Sequence, residues 1–147
     1  WTAKADADAV FIASRLRERV SLIQAPEAAT FMNNCRIGLH GPLEVISRAG
    51  MSAFAAGMER CRRENVADVN EFGEDVFVRR CLRLLGVHQH NDYALLSEIN
   101  CFENPSPCTS GKVAFHPFKD LEAYMVCLSQ ASLPTSSTTS SINTSTT

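Results

Sequence analysis

Two segments of the chain have the spacing of apolar residues that is typical of an amphipathic helix. Within residues 74–85, apolar side chains recur at relative positions 0, 3, 4 and 7, and arginines occupy the opposite side. Gly73 precedes the acidic first turn of this segment, and Gly86 stands where a left-handed residue often ends a helix. The second segment begins after Asp120 and repeats the spacing with Leu121, Tyr124, Met125 and Leu128. We predict a helix in each segment.

Three further segments in the first half of the chain have weaker helical signals. Ser14 is placed to cap a helix over residues 15–22, and Ser47 is placed to cap a helix over Arg48–Arg63. Residues 25–32 have a proline at their second position. Because proline suits the first turn of a helix, we predict a short helix or a turn there.

Short apolar runs between these helices predict strands. They cover residues 9–12, 36–40, 43–46, 87–88 and 112–115. Residues 91–110 are predicted to form a long loop. Because strands alternate with helices along the chain, the pattern favours the α/β class.

The end of the chain differs from the rest in composition. From Thr135 onward, eleven of thirteen residues are Ser or Thr, after a helix-breaking Pro134. Such a segment has almost no apolar surface to bury, so burial cannot offset the conformational entropy that ordering would remove. We therefore expect residues 1–132 to form one folded domain and residues 133–147 to be a disordered tail.

Size and charge exclude several classes of function. The chain has 147 residues, of which 45% are hydrophobic, and a formal net charge of −2. A nearly neutral chain does not capture nucleic acid by long-range attraction, so no nucleic-acid partner is expected. No apolar run approaches the ~18–20 residues that span a bilayer. The chain begins with Trp1 rather than Met, so we expect sequence to precede it.

The chain contains six cysteines: Cys35, Cys61, Cys81, Cys101, Cys108 and Cys127. None of them has the spacing of a zinc knuckle or of a thioredoxin-type motif. Disulfides are therefore expected, and they imply a secretory or extracellular compartment. Six reduced, buried thiols are the alternative. Composition alone does not choose among the pairings.

Asp6 and Asp8 form an Asp-x-Asp pair directly before an apolar run. In an extended backbone, residues two apart point to the same side, so both carboxylates can converge on one cation. Hard divalent ions such as Mg²⁺ and Mn²⁺ prefer such oxygen ligands. A solvated turn that carries two acids is the competing interpretation.

Glu74 and Asp75 lie on the first turn of the strongest predicted helix. Acids are favoured at this position by the helix dipole and the free amides, so capping alone explains the pair. The functional interpretation is that one carboxylate is a general base aimed at a hydroxyl nucleophile.

His116 stands between two phenylalanines in the sequence Phe-His-Pro-Phe-Lys. Such a histidine commonly packs within an aromatic cluster. At the end of a strand, however, a neutral imidazole can complete a metal site that a carboxylate begins.

Taken in order, four segments of the chain resemble one family, the fringe-like β1,3-glycosyltransferases of glycosyltransferase family 31. Residues 1–17 resemble its metal-binding segment, in which a Lys and an acidic triplet precede a strand and a Leu-Arg helix. Residues 41–49 resemble its glycine-then-VLS strand and helix start, and residues 73–87 resemble its EDV helix. Residues 115–118 match the FHPF motif of the core 1 β1,3-galactosyltransferase branch.

The resemblance implies a role for each candidate residue. Asp8 would be the direct metal ligand and His116 the second protein ligand, while Asp6 would lie toward the nucleotide. Asp75 would be the catalytic base, and Glu74 would support it or touch the acceptor. The implied cofactor is Mn²⁺ or Mg²⁺, and the implied donor is a UDP-sugar. The implied reaction is inverting transfer of a hexose to a hydroxyl of a glycan or glycoprotein acceptor, with galactose suggested by the FHPF motif.

The resemblance also implies a disulfide pattern. In the core 1 branch, a cysteine before the EDV helix is bridged to one on it, which implies a bridge between Cys61 and Cys81. Cys101 and Cys108 share the predicted loop and are then expected to pair, which leaves Cys35 to pair with Cys127.

The chain departs from the family pattern in two places. Ala7 replaces an acid that is usual in the middle of the triplet, which removes one charge but keeps the outer pair. In the family, the strands that hold the uridine and ribose precede the metal motif. The resemblance therefore implies the C-terminal half of a GT-A-type, Rossmann-like catalytic domain, and inactivity of this half alone is one expected outcome.

The full-length protein would then be a type II membrane protein of the secretory pathway, in the Golgi lumen, with any membrane anchor upstream of this chain. A function of another class is the alternative. The chain would then be a truncated, disulfide-stabilised, non-catalytic module that binds glycans or another partner.

Overall fold

The computed structural model describes residues 1–25, 27–64, 66, 69–101 and 104–133. The described strands are β1 (Thr2–Ala5), β2 (Val10–Phe11), β3 (Thr30–Asn33), β4 (Leu43–Ile46), β5 (His88–Asn91), β6 (Leu96–Ser97) and β7 (Ala114–Phe115). The described helices are α1 (Ala13–Ser21), α2 (Arg48–Arg63), α3 (Val69–Leu84), α4 (Leu121–Ser132) and a short 3₁₀ helix at Ile99–Cys101. This mixture of sheets and helices confirms the α/β class. The predicted disordered tail lies, apart from Leu133, outside the described residues.

The strands form two small sheets. The first has the order β1-β4-β3-β5, in which β3 and β5 are parallel and the other neighbours are antiparallel. The second has the order β2-β7-β6, in which β7 is antiparallel to β2 and parallel to β6. Phe115 of β7 pairs with Val10 on one side and with Ser97 on the other. The residue after Phe115 therefore lies where the central strand of the second sheet ends.

The core follows from the alternation of side chains along the strands of the first sheet. Phe31 and Ile46 belong to a buried cluster with Leu82 of α3. Their neighbours Met32 and Val45 point to the other face, because successive strand residues alternate, and belong to a cluster that includes residues of the second sheet. The first sheet thus lies between the α2–α3 pair and the second sheet.

Local capping explains where two of the predicted helices begin. Ser47 and Asp120 each accept a hydrogen bond from a backbone N–H of the first turn, at 3.1 and 2.9 Å, as predicted. The predicted cap at Ser14 is wrong, because α1 already begins at Ala13 and has no side-chain cap. Gly73 has a φ of 73° inside α3, so the backbone is not helical at that residue. Among the described helices, none is long and apolar enough to span a bilayer.

Two predictions for the connecting segments are wrong, and a third is right only in part. Residues 25–32, predicted as a short helix or a turn, contain a turn in which the Ala28 N–H donates to the Ala25 carbonyl oxygen at 3.0 Å, and then the start of β3. Pro26 itself lies outside the described residues. All four residues of β3 are buried between its two neighbouring strands, so pairing in the sheet overrides the helical signal. Residues 36–40 form turns instead of a strand. The predicted loop over residues 91–110 contains β6 and the 3₁₀ helix.

All six cysteines form disulfides: Cys35–Cys101, Cys61–Cys81 and Cys108–Cys127. The bridge that the resemblance implied, Cys61–Cys81, joins α2 to α3.

The other two expected bridges, Cys101–Cys108 and Cys35–Cys127, are wrong. Because the 3₁₀ helix folds inward, Cys101 is buried in the core, where it bonds to Cys35 after β3. Cys108 instead bonds to Cys127 of α4, next to the second sheet. Treating residues 91–110 as one featureless loop therefore caused both errors.

Candidate metal and catalytic site

Asp6 and Asp8 lie in the turn that joins β1 to β2, and not on an extended strand as the sequence argument assumed. The turn is closed by the Ala9 N–H, which donates to the Asp6 carbonyl oxygen at 3.0 Å. The Asp8 carbonyl oxygen accepts a hydrogen bond from the Phe118 N–H at 2.8 Å. The side chains remain 37% and 26% exposed, respectively. The turn therefore presents both carboxylates to solvent on a fixed backbone.

His116 is brought to these acids by the second sheet. It directly follows β7, and its backbone N–H donates to the Ser97 carbonyl oxygen at 3.0 Å. Its Nε2 lies 3.3 Å from Oδ1 of Asp8. One ligand atom from each of Asp6, Asp8 and His116 lies within 4.8 Å of the others. The two predicted metal ligands, Asp8 and His116, and the predicted nucleotide-side acid Asp6 thus form one group, called the three-ligand group below.

Glu98, which the sequence did not single out, contacts the other nitrogen of the histidine. Its Oε2 is hydrogen-bonded to Nδ1 of His116, and its Oε1 accepts from the Asn100 N–H at 3.2 Å. The residue is only 2% exposed. Because β6 and β7 are parallel and Ser97 pairs with Phe115, Glu98 and His116 are the residues that follow this pair. Recognising β6 inside the predicted loop would have revealed the contact.

The carboxylate of Asp8 is ionised at neutral pH. Slight burial raises its pKa, but the hydrogen bond from Lys119 and the positive charge of that lysine hold the pKa below its ordinary value. The Lys119 Nζ lies 3.3 Å from Oδ2 of Asp8. Asp8 is therefore available as an anionic ligand.

Lys4 connects this group to Glu74 of α3. Its Nζ lies 3.5 Å from Oδ1 of Asp6 and 2.8 Å from Oε1 of Glu74. It also lies 3.1 Å from Oε1 of Glu44, a nearly buried acid of β4. Partial burial lowers the pKa of Lys4, but the hydrogen bonds to Glu74 and Glu44 outweigh it and raise the pKa above its ordinary value. A positive charge thus lies between the predicted metal-binding part of the site and the acids predicted for catalysis.

Asp75 and Glu74 point to different partners. Oδ2 of Asp75 accepts from the Gly41 N–H at 3.0 Å and lies 3.3 Å from Nδ1 of His40. Glu74 is bonded to Lys4, which holds its pKa below the ordinary value. Both acids follow the non-helical Gly73, as predicted. Of the two, Asp75 is the less exposed, with a 17% exposed side chain against 66% for Glu74.

Two clefts border the three-ligand group. A cleft of about 370 Å³ is lined by Ala7, Asp8, Phe118, Lys119, Leu121 and Tyr124. A second cleft of about 280 Å³ is lined by residues that include His116, Phe118, Ser97 and Ile99. Each cleft contains one of the predicted metal ligands, so a bound ion would be reached from both.

No family model, no curated protein and no solved structure matches this chain.

Proposed function

We propose that the chain is the part of a fringe-like, GT-A-type glycosyltransferase domain that binds the metal ion and carries the general base. The domain would transfer a hexose from a UDP-sugar to an acceptor hydroxyl. The resemblance to the FHPF motif suggests that this hexose is galactose. The observation that carries this proposal is that His116, which is distant in sequence from Asp6 and Asp8, joins them in one group of ligand atoms. Glu74 of α3 is joined to that group through Lys4.

The donor set of the three-ligand group fits a divalent ion. Two carboxylates and one imidazole combine oxygen ligands, which Mg²⁺ and Mn²⁺ prefer, with a nitrogen ligand, which suits transition metals. This combination favours Mn²⁺ over Mg²⁺. Asp8 and His116 would hold the ion, and Asp6 would lie toward the nucleotide. When bound, the ion supplies Lewis-acid stabilisation of the negative charge on the leaving diphosphate.

Asp75 is the proposed general base. Its carboxylate accepts the proton of the acceptor hydroxyl while the hydroxyl oxygen forms a bond to the anomeric carbon of the donor. The bond from that carbon to the phosphate oxygen breaks, and its electron pair leaves with UDP. Attack from the face opposite to the leaving group inverts the configuration, so an α-linked donor gives a β-linked product. The Gly41 N–H fixes the carboxylate for this step.

The compartment belongs to the same proposal. The three disulfides are consistent with folding in an oxidising environment. We propose the secretory pathway, with the Golgi lumen as the place where a UDP-sugar-dependent enzyme of this type acts on glycoproteins.

Calorimetry with Mn²⁺ on this chain, and then with UDP on the full-length protein, tests the proposal. We expect the purified chain to bind Mn²⁺, and we expect Asp8→Ala and His116→Ala to abolish this binding. The matched control is Asp92→Asn, because Asp92 pairs with Arg19 at 2.7 Å and is not a member of the three-ligand group. UDP binding that neither site substitution affects would overturn the metal site. Binding of glycans without Mn²⁺ or UDP would favour the non-catalytic module instead.

A further inference from the structure

Glu98 is a buried carboxylate that the proposed reaction does not use. It is 2% exposed, and removing a carboxylate from water to this extent costs several kcal/mol unless partners compensate. One oxygen is satisfied locally, because Oε1 accepts from the Asn100 N–H. The other oxygen, Oε2, is hydrogen-bonded to Nδ1 of His116 on the neighbouring strand.

The contact determines which nitrogen of His116 is able to bind a metal. A carboxylate that accepts a hydrogen bond from Nδ1–H fixes the tautomer in which Nε2 keeps its lone pair. In this structure Nε2 is the nitrogen that lies 3.3 Å from Asp8. Glu98 therefore orients the ring so that its free nitrogen faces the carboxylates, and it makes that nitrogen more basic.

The backbone around Glu98 is fixed by hydrogen bonds that do not involve the imidazole of His116. Its carbonyl oxygen accepts from the Cys101 N–H at 3.1 Å, and Cys101 is bridged to Cys35 in the core. On the other side, the hydrogen bond from the His116 N–H to Ser97 fixes the spacing between the two strands. The carboxylate thus approaches the imidazole from a rigid support.

We propose that Glu98 is a positioning residue that holds His116 as an Nε2 ligand for a divalent transition ion of the Mn²⁺ class. This inference rests on the proposed function, because it requires the metal site at Asp8 and His116. A purely structural pair of Glu98 and His116 is the alternative, and it predicts effects on stability but none on metal affinity.

The test compares Mn²⁺ affinity among variants of the full chain, measured by calorimetry and by the electron paramagnetic resonance signal of free Mn²⁺. Outer partners of metal-bound histidines contribute about 10–100-fold to affinity. We expect Glu98→Gln to weaken Mn²⁺ binding by about 10-fold and Glu98→Leu by about 100-fold. We also expect the nitrogen hyperfine coupling of bound Mn²⁺ to change in both variants. Asp92→Asn, which breaks the pair with Arg19, is expected to lower the melting temperature without changing the affinity.

The outcomes separate the two proposals. If the parent chain does not bind Mn²⁺, the proposed metal site is overturned, and the role of Glu98 with it. If Asp8→Asn abolishes binding while Glu98→Gln binds like the parent with unchanged hyperfine coupling, only the role of Glu98 is overturned. If the Glu98 variants do not fold, nitrogen chemical shifts of His116 in the metal-free parent decide. The Nδ1–H tautomer supports the proposal, and the Nε2–H tautomer overturns it.

Discussion

Lys4 is surrounded by acids. Among the described ion pairs, it provides the only positive charge that offsets the buried Glu44. Replacing Lys4 with methionine removes that charge. The Lys4 Nζ lies 3.1 Å from Glu44, whose side chain is 7% exposed, and 2.8 Å from Glu74, whose side chain is 66% exposed. A hydrogen bond to a charged group contributes about 1.5–3 kcal/mol, whereas an exposed ion pair contributes about 0–1 kcal/mol. Lys4 itself is 44% exposed, so solvent screens both pairs. We therefore expect Lys4→Met to lower the free energy of unfolding by about 2 kcal/mol near neutral pH.

The loss is expected to depend on pH, because most of it is carried by Glu44. Burial raises the pKa of Glu44 above its ordinary value, Lys4 lowers it, and removing Lys4 raises it further. The folded variant then takes up a proton at a pH where the unfolded chain, with an ordinary pKa of about 4.3, has not yet done so. Its stability therefore rises relative to the parent as the pH falls toward that value. Glu74, whose pKa is lowered, loses its contribution only below the unfolded pKa of about 4.3 and therefore does not affect this comparison. We expect the difference to be smaller near pH 5 than near neutral pH.

Urea unfolding followed by circular dichroism, with the disulfides intact, measures these differences at both pH values. The double variant Lys4→Met/Glu44→Gln is expected to recover most of the loss, because it no longer buries an uncompensated charge. Lys119→Met is the control, since Lys119 is 82% exposed and its loss is expected to cost no more than about 0.5 kcal/mol. An equal loss at both pH values, or a double variant as unstable as the single one, would refute the reasoning.

Three further predictions concern the bridge, the base and one turn. Replacing Cys61 and Cys81 with alanine opens a bridge between residues 20 positions apart and is expected to lower the free energy of unfolding by about 3 kcal/mol; an unchanged urea midpoint would contradict this. In a transferase assay of the full-length protein, Asp75→Asn is expected to lower kcat by about 10²–10⁴-fold with unchanged Mn²⁺ affinity, and retained kcat would exclude this residue as the base. Gly38 has a φ of 130°, and a Cβ there would overlap the Arg79 guanidinium. Gly38→Ala is therefore expected to cost about 1–3 kcal/mol in thermal unfolding, and an unchanged melting curve would show that the turn adapts.

The helices of this chain could be predicted because their signals are local. The start of α2 at Ser47 and the start of α4 at Asp120 depend on a capping side chain and the amides that follow it. Glu74 and Asp75 lie at the start of the regular part of α3 because the backbone at Gly73 is not helical. In each case the residues that decide the structure lie within one helical turn of one another.

The strands that support the site could not be predicted in the same way. All four residues of β1 are exposed and alanine is its only apolar residue type, whereas β3 is wholly buried and contains residues that also suit a helix. β6 has only two residues. These strands form because they pair with residues that are distant in sequence. The contact between Glu98 and His116 depends on the same pairing. The candidate ligands were therefore visible in the sequence, whereas their supporting residues required the fold.

A lysine lies between the two parts of the candidate site. The candidate metal ligands are supported by the second sheet and by the turn before β2, whereas Asp75, the proposed base, is held by α3 and the Gly41 N–H. The turn at Gly41 and Pro42 is the backbone link between them, because the Asp6 N–H donates to the Pro42 carbonyl oxygen at 3.3 Å. This bond continues the antiparallel ladder of β1 and β4, in which Ala5 pairs with Leu43 and Lys4 pairs with Glu44. Lys4 contacts acids on both sides of this link, Asp6 and Glu74, so the ladder joins the two parts of the site while Lys4 offsets part of the repulsion among their carboxylates.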